Sequence, residues 1–306
     1  MKNIFIIILN FNGYRDLIKC LSSLRHLKNN RYQLTTLIVD NGSCADELTR
    51  LRKFLVKNRQ QLAFLRPKLF QNRLNLGFSR GNNVGIRHAL EKGADYVLLL
   101  NNDVIIEMNF LIHSLRIKAD IISPVVKFRE FKDKPQLLYD LGGFVNWTTG
   151  RTTHLNTYKN EYLRYKGQKP ISVDYVAGCC MLIKRQVLES IGFLDEKYFI
   201  YFEDVDYCIT AKKHGFKVVV DPDSIIYHKL GGSMDRWSNR AIFHNLYSNF
   251  IFISKHLGIK KLTGYGYLSV LILKILKDRI MDSLTKSRID ILDNKKWRGA
   301  RHNKPS

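Results

Sequence analysis

The five cysteines show no C-x-x-C spacing, and their odd number excludes complete pairing within one chain. A reduced compartment suits them, so the expected location is cytoplasmic. No apolar run approaches the ~18–20 residues needed to cross a membrane. The apolar run 4–9 is too short for a secretory core and lacks a small-residue cleavage site, so it reads as a first strand. Neither a G-x-G-x-x-G nor a Walker lysine motif occurs, which argues against a dinucleotide enzyme or a P-loop ATPase. Acidic residues are scarce, 27 against 50 Lys and Arg, and the formal net charge of +23 implies an anionic partner. Thirteen basic and four acidic residues fall in 255–306, giving the C-terminal stretch its own electrostatic character. No internal repeat or low-complexity tract is present.

What is there is an alternation of short apolar runs and amphipathic segments. Strands are expected at 4–9, 36–39, 62–65 with 69–71, 97–100, 121–128, 173–183, 217–220 and 224–227. Pro124 suggests that 121–128 lies at a sheet edge. Helices are expected at 16–27, 46–56, 84–92, 110–115, 186–191, 203–214, 240–256 and 262–284, followed by a loose basic tail at 286–306. Residues 129–172, with Gly142-Gly143 and Trp147, suit a hairpin or a mobile loop over a site. Strand–helix alternation implies a mostly parallel sheet with helices on its faces. At 306 residues the chain accommodates one large domain plus an appendage.

The stretch 96–104, YVLLLNNDV, organises the rest. Its apolar run suits a strand buried on both faces, and it stops on Asn101, Asn102 and Asp103. That cluster is either an ordinary strand-to-turn boundary or a ligand or metal site. Three more polar clusters, at 10–12, 40–43 and 75–83, fall at other strand ends or helix starts. Ligands of open α/β sheets bind beyond the carboxyl ends of the strands, so these loops would line one nucleotide crevice. Phe11 is suited to stack on a base, Asp40 to accept from a ring N–H, and Arg80 to pair with phosphate. Gly77 and Gly81 would let the backbone approach phosphate closely.

Several ordered motifs then carry a resemblance. NFNG at 10–13, IVDNGS at 38–43, NLGFSRGNNVGI at 75–86, LLLNNDV at 98–104, DYVAGCCMLIKR at 174–185 and GFLDEKYFIYFEDVDYCITAKKHGFKV at 192–218, with His228 beyond, resemble inverting glycosyltransferases of family 2. The likeness is to bacterial rhamnosyltransferase-type members and covers roughly residues 3–256. It implies a GT-A (Rossmann-like) α/β fold with a C-terminal helical extension, a nucleotide-diphospho-sugar donor, a divalent Mg²⁺ or Mn²⁺, and single-displacement transfer to a glycan or lipid-linked acceptor. Carried over by position, Phe11 and Asp40 hold the nucleobase, Asn75, Arg80 and Asn83 shape the donor pocket, and Asn101 faces the ribose. Asp103 binds the metal. Many members have a carboxylate where Asn101 stands, so metal binding would lean on the donor diphosphate and on His228, which resembles a histidine ligand of some members. His228 is otherwise read as structural. Asp204 resembles the base that takes the acceptor's proton, Glu203 orients the acceptor, and Asp206 serves helix start or packing. Asp174 and Gly178 lie under the acceptor, or Gly178 permits close packing. Cys179 and Cys180 read as small buried residues. Thymidine-diphospho-rhamnose is the first guess for the donor, in cell-surface polysaccharide synthesis.

The expected organisation is a catalytic domain at 1–232, with a donor half to about 105 and an acceptor half from about 106, and a basic helical region at 233–306. In 262–284, apolar positions 268, 271, 272, 275, 276 and 280 oppose Lys274, Lys277, Asp278 and Arg279. This profile suits either a helix lying on an acidic cytoplasmic membrane face or one packed on the catalytic domain. A sugar-1-phosphate nucleotidyltransferase would need a Gly-rich phosphate loop with Lys or Arg after the first strand, which is missing. A nucleic-acid-binding protein would account for the charge, but the motifs at the strand ends are acidic or amide rather than basic and aromatic. No nucleic-acid partner is therefore expected.

Overall fold

The computed structural model describes residues 1–27, 31–107, 110–128, 138–155, 165–229 and 238–299. The first half alternates regularly: β1 (Lys2–Asn10), α1 (Tyr14–Ser23), β2 (Tyr32–Asp40), α2 (Ala45–Lys57), β3 (Lys68–Gln71), α3 (Gly77–Glu91) and β4 (Tyr96–Asn101). It continues through β5 (Val104–Ile106), α4 (Phe110–Ser114), β6 (Ile121–Phe128), β7 (Leu138–Asp140), the hairpin β8 (Gly143–Val145) and β9 (Thr152–His154), and β10 (Ile171–Ser172). Then come β11 (Cys180–Lys184), α5 (Arg185–Ile191), α6 (Glu203–Lys213), β12 (Val218–His228), α7 (Asn239–His256) and α8 (Lys261–Gly299). The main sheet runs β10-β12-β6-β11-β4-β1-β2-β3, with β5 added to β12 and β7 to β6. Strands β3, β2, β1 and β4 are mutually parallel, whereas β11 enters antiparallel to both β4 and β6.

Continuous apolar runs are explained by burial on both faces. Along β1, Ile4, Ile6 and Ile8 pack with α1 and α2, while Phe5 and Ile7 face the core that holds α3, α6 and α7. Close packing of α3 depends on two glycines. A Cβ at Gly81 would stand 2.6 Å from Leu9 Cδ1, and one at Gly85 would stand 2.7 Å from Ile7 Cγ2. The helix therefore lies against β1 at a distance no larger residue allows.

Several expectations need correction. Helix α3 begins at Gly77 rather than 84, because the polar residues Ser79, Asn82 and Asn83 are buried within it. Residues 63–65 form a 3-10 turn, not a strand. The stretch 173–183 is not one strand: only Cys180–Lys184 joins the sheet as β11. The two strands expected at 217–227 are one, β12, with a bulge between Asp221 and Ile225. β6 is interior rather than an edge. Pro124 is tolerated there because β11 pairs only at Ile121 and Ile122, β7 only at Val126 and Lys127, and the β12 bulge starts opposite the proline. The 143–154 hairpin is present, while 129–137, 156–164 and Gly231-Gly232-Ser233 lie outside the described residues. Helix α8 continues to Gly299, through most of the expected loose tail, since no Gly or Pro interrupts 268–298.

Candidate active site

Three adjacent strand ends build one side of the candidate site. The register places Asn10 beside Asp40 and Leu9 beside Asn101. Asn10 Nδ2 donates to Asp40 Oδ2 (3.4 Å), and Asn102 Nδ2 donates to Asn10 Oδ1 (2.8 Å), so a side-chain chain crosses β2, β1 and β4. Asp40 is fully buried and also accepts from the Ser43 amide (3.1 Å). Phe11, just past β1, is exposed. Asn41, not singled out in the sequence, joins neighbouring loops: its Nδ2 donates to Asn75 Oδ1 (2.9 Å) and Gly77 O (3.1 Å), and its Oδ1 accepts from Asn72 Nδ2 (3.0 Å).

Beyond these loops, some candidates hold the fold rather than an open pocket. Asn75 Oδ1 also accepts from the Gly77 amide, closing the turn into α3. Gly77, at φ +82°, has Phe199 O only 2.5 Å from where a Cβ would be, so its missing side chain admits the protein's own backbone. With Leu9 filling the same role at Gly81, the expectation that both glycines admit phosphate is replaced by packing. Asn83 is 1% exposed; its Nδ2 donates to Leu194 O and Glu196 Oε1, and its Oδ1 accepts from the Leu194 amide. Arg80 pairs with the same Glu196 at 3.0 Å. Both residues therefore dock α3 on the 194–196 turn.

At the end of β4 the chain turns sharply and returns as β5, antiparallel to β12, with His228 opposite Val104. This short strand was not expected, and it brings Asp103 against His228. Asp103 Oδ1 and His228 Nε2 lie 3.1 Å apart, both residues nearly buried. The contact lacks hydrogen-bond geometry, so Asp103 Oδ1 and His228 Nδ1 are buried without a hydrogen-bond partner. The Lys229 amide donates to the Asp103 carbonyl, and Lys229 Nζ reaches Asp16 Oδ2 (3.0 Å), which ties β12 to α1 around the pair. Among the described residues no cluster of three or more His, Cys, Asp or Glu forms a metal cage.

The carboxylate side lies one strand away. The Asn101 amide donates to Cys179 O, and the preceding Gly178 amide donates to Asp204 Oδ2 at 2.8 Å. Asp204 Oδ1 accepts from the Val205 amide, also at 2.8 Å. Any Cβ at Gly178 would touch Asp204 Cβ at 3.3 Å, so the glycine sits directly beneath the carboxylate. Burial raises the Asp204 pKa, opposed by those two amides and by the charge of His154. Glu203 is 5% exposed, its Oε2 has no hydrogen-bond partner, and burial followed by repulsion from Asp204 pushes its pKa well up. Asp174 does not lie open beneath an acceptor: Lys212 Nζ (2.6 Å) and the Val145 amide (3.0 Å) occupy its two oxygens. Asp206 is structural, gripped by His256 Nε2 (2.7 Å), Lys255 Nζ (2.8 Å) and Tyr198 OH (3.1 Å). Burial raises the thiol pKa values of Cys179 and Cys180 far up, which leaves both unreactive.

Three further residues, Tyr139, Asp140 and His154, escaped the sequence. His154 Nδ1 lies 3.0 Å from Asp140 Oδ1, and Tyr139 places its ring between the rings of His154 (6.3 Å) and His228 (5.6 Å). A polar and aromatic wall thus joins the Asp103–His228 pair to the neighbourhood of Asp204. Their sequence signal is weak because the pairing depends on a hairpin inside an unpatterned stretch.

A sheet with parallel strands feeding a carboxamide-lined edge, a buried Asp–His pair and a separate buried carboxylate pair defines a GT-A-type nucleotide-sugar fold. Residues 68–242 match glycosyltransferase like family 2, and the chain belongs to that family. The hexosyltransferase Agl10 of low-salt glycan biosynthesis in Haloferax volcanii is 31% identical over 156 residues, 47% of this chain and 46% of that protein. The dTDP-rhamnosyl transferase RfbF of Shigella flexneri is 26% identical, covering 51% and 50%. The chain thus spans about half the length of these two relatives. Rhamnosyltransferase WbbL of Escherichia coli is 22% identical over 82% of this chain and 93% of its own. Among solved structures, GalNAc-T7 with UDP, GalNAc and Mn²⁺ superposes with a TM-score of 0.62 at 16% identity, over 83% of this chain and 48% of that one. A mannosyltransferase of Pyrobaculum calidifontis with GDP-Man and Mn²⁺ gives 0.55 at 12%, over 82% and 63%. These superpositions support the fold.

Proposed function

We propose that the chain moves a sugar, with inversion, from a nucleotide-diphospho-sugar to a hydroxyl of a glycan or lipid-linked acceptor in cell-surface polysaccharide synthesis. The observation that carries this reading is the pairing of two unlike acidic centres at one sheet edge: Asp103 with His228, and Asp204 with Glu203. Asp204 Oδ takes the acceptor's proton as the new glycosidic bond forms, its two amide bonds keeping the carboxylate ionised and fixed. Glu203, buried and pushed well up in pKa, orients the acceptor. Phe11 and Asp40 face the nucleobase, and Asn101 the ribose. Asp103 and His228 suit a divalent Mg²⁺ or Mn²⁺, because Asp103 Oδ1 is buried without a hydrogen-bond partner 3.1 Å from His228 Nε2. Such an ion, when bound, supplies Lewis-acid neutralisation of the leaving diphosphate. Asp103 and His228 would hold the ion, and the donor's phosphate oxygens would supply the rest of its ligands.

Thymidine-diphospho-rhamnose is the favoured donor, by likeness to the rhamnosyltransferases RfbF and WbbL. A panel of dTDP-, UDP- and GDP-sugars with Mn²⁺ tests it: metal-dependent thermal stabilisation and sugar release should peak with one donor, and no response from any of them would overturn the reading. The nucleotidyltransferase and nucleic-acid alternatives lose ground to the family membership.

We also infer peripheral contact with an acidic membrane on its cytoplasmic face. No helix of the described residues is long and apolar enough to cross a bilayer. On α8 the expected apolar side divides: Leu268 is buried in the core and Leu271 packs against it, whereas Ile272, Leu276 and Ile280 stay exposed, as do Lys274 and Lys277. Sedimentation with phosphatidylglycerol vesicles but not phosphatidylcholine vesicles is the expected result.

A further inference from the structure

The catalytic carboxylates are preceded by a backbone that ordinary residues avoid. Tyr201 and Phe202 both take left-handed conformations, φ +70° and +65°, immediately before Glu203 and Asp204. Two consecutive bulky residues in that region persist only where the surroundings impose it. On one side the turn is fixed to α3, since Phe199 O accepts from the Phe78 amide at 2.6 Å and occupies the space above Gly77.

Opposite, four side chains of α7 contact the turn or the helix that follows it. His244 stacks on Phe199 with ring centroids 4.7 Å apart and planes 15° from parallel. Ser248 Oγ, fully buried, donates to Ile200 O at 2.9 Å. Phe252 packs on Phe202 at 5.5 Å, and His256 reaches Asp206 on α6 at 2.7 Å. These four residues are spaced i, i+4, i+8, i+12 and so follow one helix face from the turn into the base-bearing helix. All four lie beyond residue 242, where the family match ends. A catalytic unit ending at 232 would leave this turn without its outer wall.

We propose that α7 is a positioning element of the reaction centre: it holds the left-handed Tyr201–Phe202 turn closed and thereby sets where Glu203 and Asp204 present their carboxyl groups. The role assigned to Asp204 rests on the transfer reading above. The clamp itself does not, and a measurement that needs no substrate addresses it.

The test compares full-length wild type, His244→Ala/Ser248→Ala, and His244→Phe, which keeps the stacked ring. Amide hydrogen exchange across 200–206 should accelerate about tenfold or more in the double variant while exchange in β1 and β4 is unchanged. With the donor selected by the nucleotide-sugar panel, kcat should fall about 100-fold at an unchanged donor KM, because neither side chain touches the donor side. His244→Phe should stay near wild type in both measurements. Unchanged exchange at 200–206 would overturn the clamp whatever the sugar, and accelerated exchange with normal kcat would overturn its catalytic role. A wild type that transfers none of the sugars would instead count against the transfer reading.

Discussion

Replacing Asp204 by asparagine separates chemistry from architecture, and the structure sets the size of both effects. The carboxylate accepts two backbone bonds of 2.8 Å, from Gly178 and Val205. Asparagine offers one oxygen and one NH2 group, so one of those amides loses its partner, at a cost of about 1–3 kcal/mol in stability. Relief of the buried charge offsets part of that, since burial already raises the Asp204 pKa. The chain should therefore fold and bind donor. Loss of a general base costs about 10²–10⁴ in rate, or roughly 2.7–5.4 kcal/mol of barrier. Calorimetry of donor with Mn²⁺ and a steady-state transfer assay read the two effects separately. The wild-type rate should fall as pH drops through a value above 3.8, the ordinary aspartate value, because protonation removes the base. Asp204→Asn should lack that limb. Transfer at near wild-type rate, or loss of donor binding equal to the loss of transfer, would refute the assignment.

Asp103→Ala should abolish metal-dependent donor binding, and His228→Gln should weaken it about 10- to 100-fold, both seen in a Mn²⁺ titration with the donor present. Gly85→Ala should destabilise the fold by about 1–3 kcal/mol in urea unfolding, because the added Cβ meets Ile7 Cγ2 at 2.7 Å. Glu203 binds a proton in the folded chain at pH values where the unfolded chain has released it, so stability should fall as pH rises above 4.5. Glu203→Gln should remove that slope, and unfolding midpoints at pH 5 and pH 8 would show it.

Strands β1, β2 and β4 were legible because each is an apolar run closed by Asn or Asp and buried on both sheet faces, whereas the half-buried edge strand β3 left the neighbouring 62–65 open to misreading. Legibility failed where a residue's partner is far along the chain. Asn83 reads as a loop amide until Leu194 and Glu196 come to it, and Asp174 reads as an open carboxylate until Lys212 does. β5 is three residues long, too short for a period to register, yet it alone brings Asp103 to His228. Asp140 and His154 were invisible for the same reason, their meeting being a product of the β7 and β9 positions.

This pattern bears on how few charges the site carries. With asparagine at 101 and 102, the β4 end holds one carboxylate, and a chain with a formal charge of +23 does not repel a diphosphate. Three carboxylates at a strand end would resist such a donor until metal arrived; one carboxylate paired with a histidine does not. The amides instead do structural work, linking Asp40, Asn10 and Asn102 across three strands, and so keep the nucleotide edge rigid before any ligand binds. On the other side burial makes the neighbours Glu203 and Asp204 unlike: Glu203 is pushed well up in pKa, while the rise at Asp204 is opposed by two backbone amides. Under the transfer reading proposed above, a single carboxylate at the β4 end leaves the donor to be held largely through its own phosphates, with the acceptor activated at Asp204.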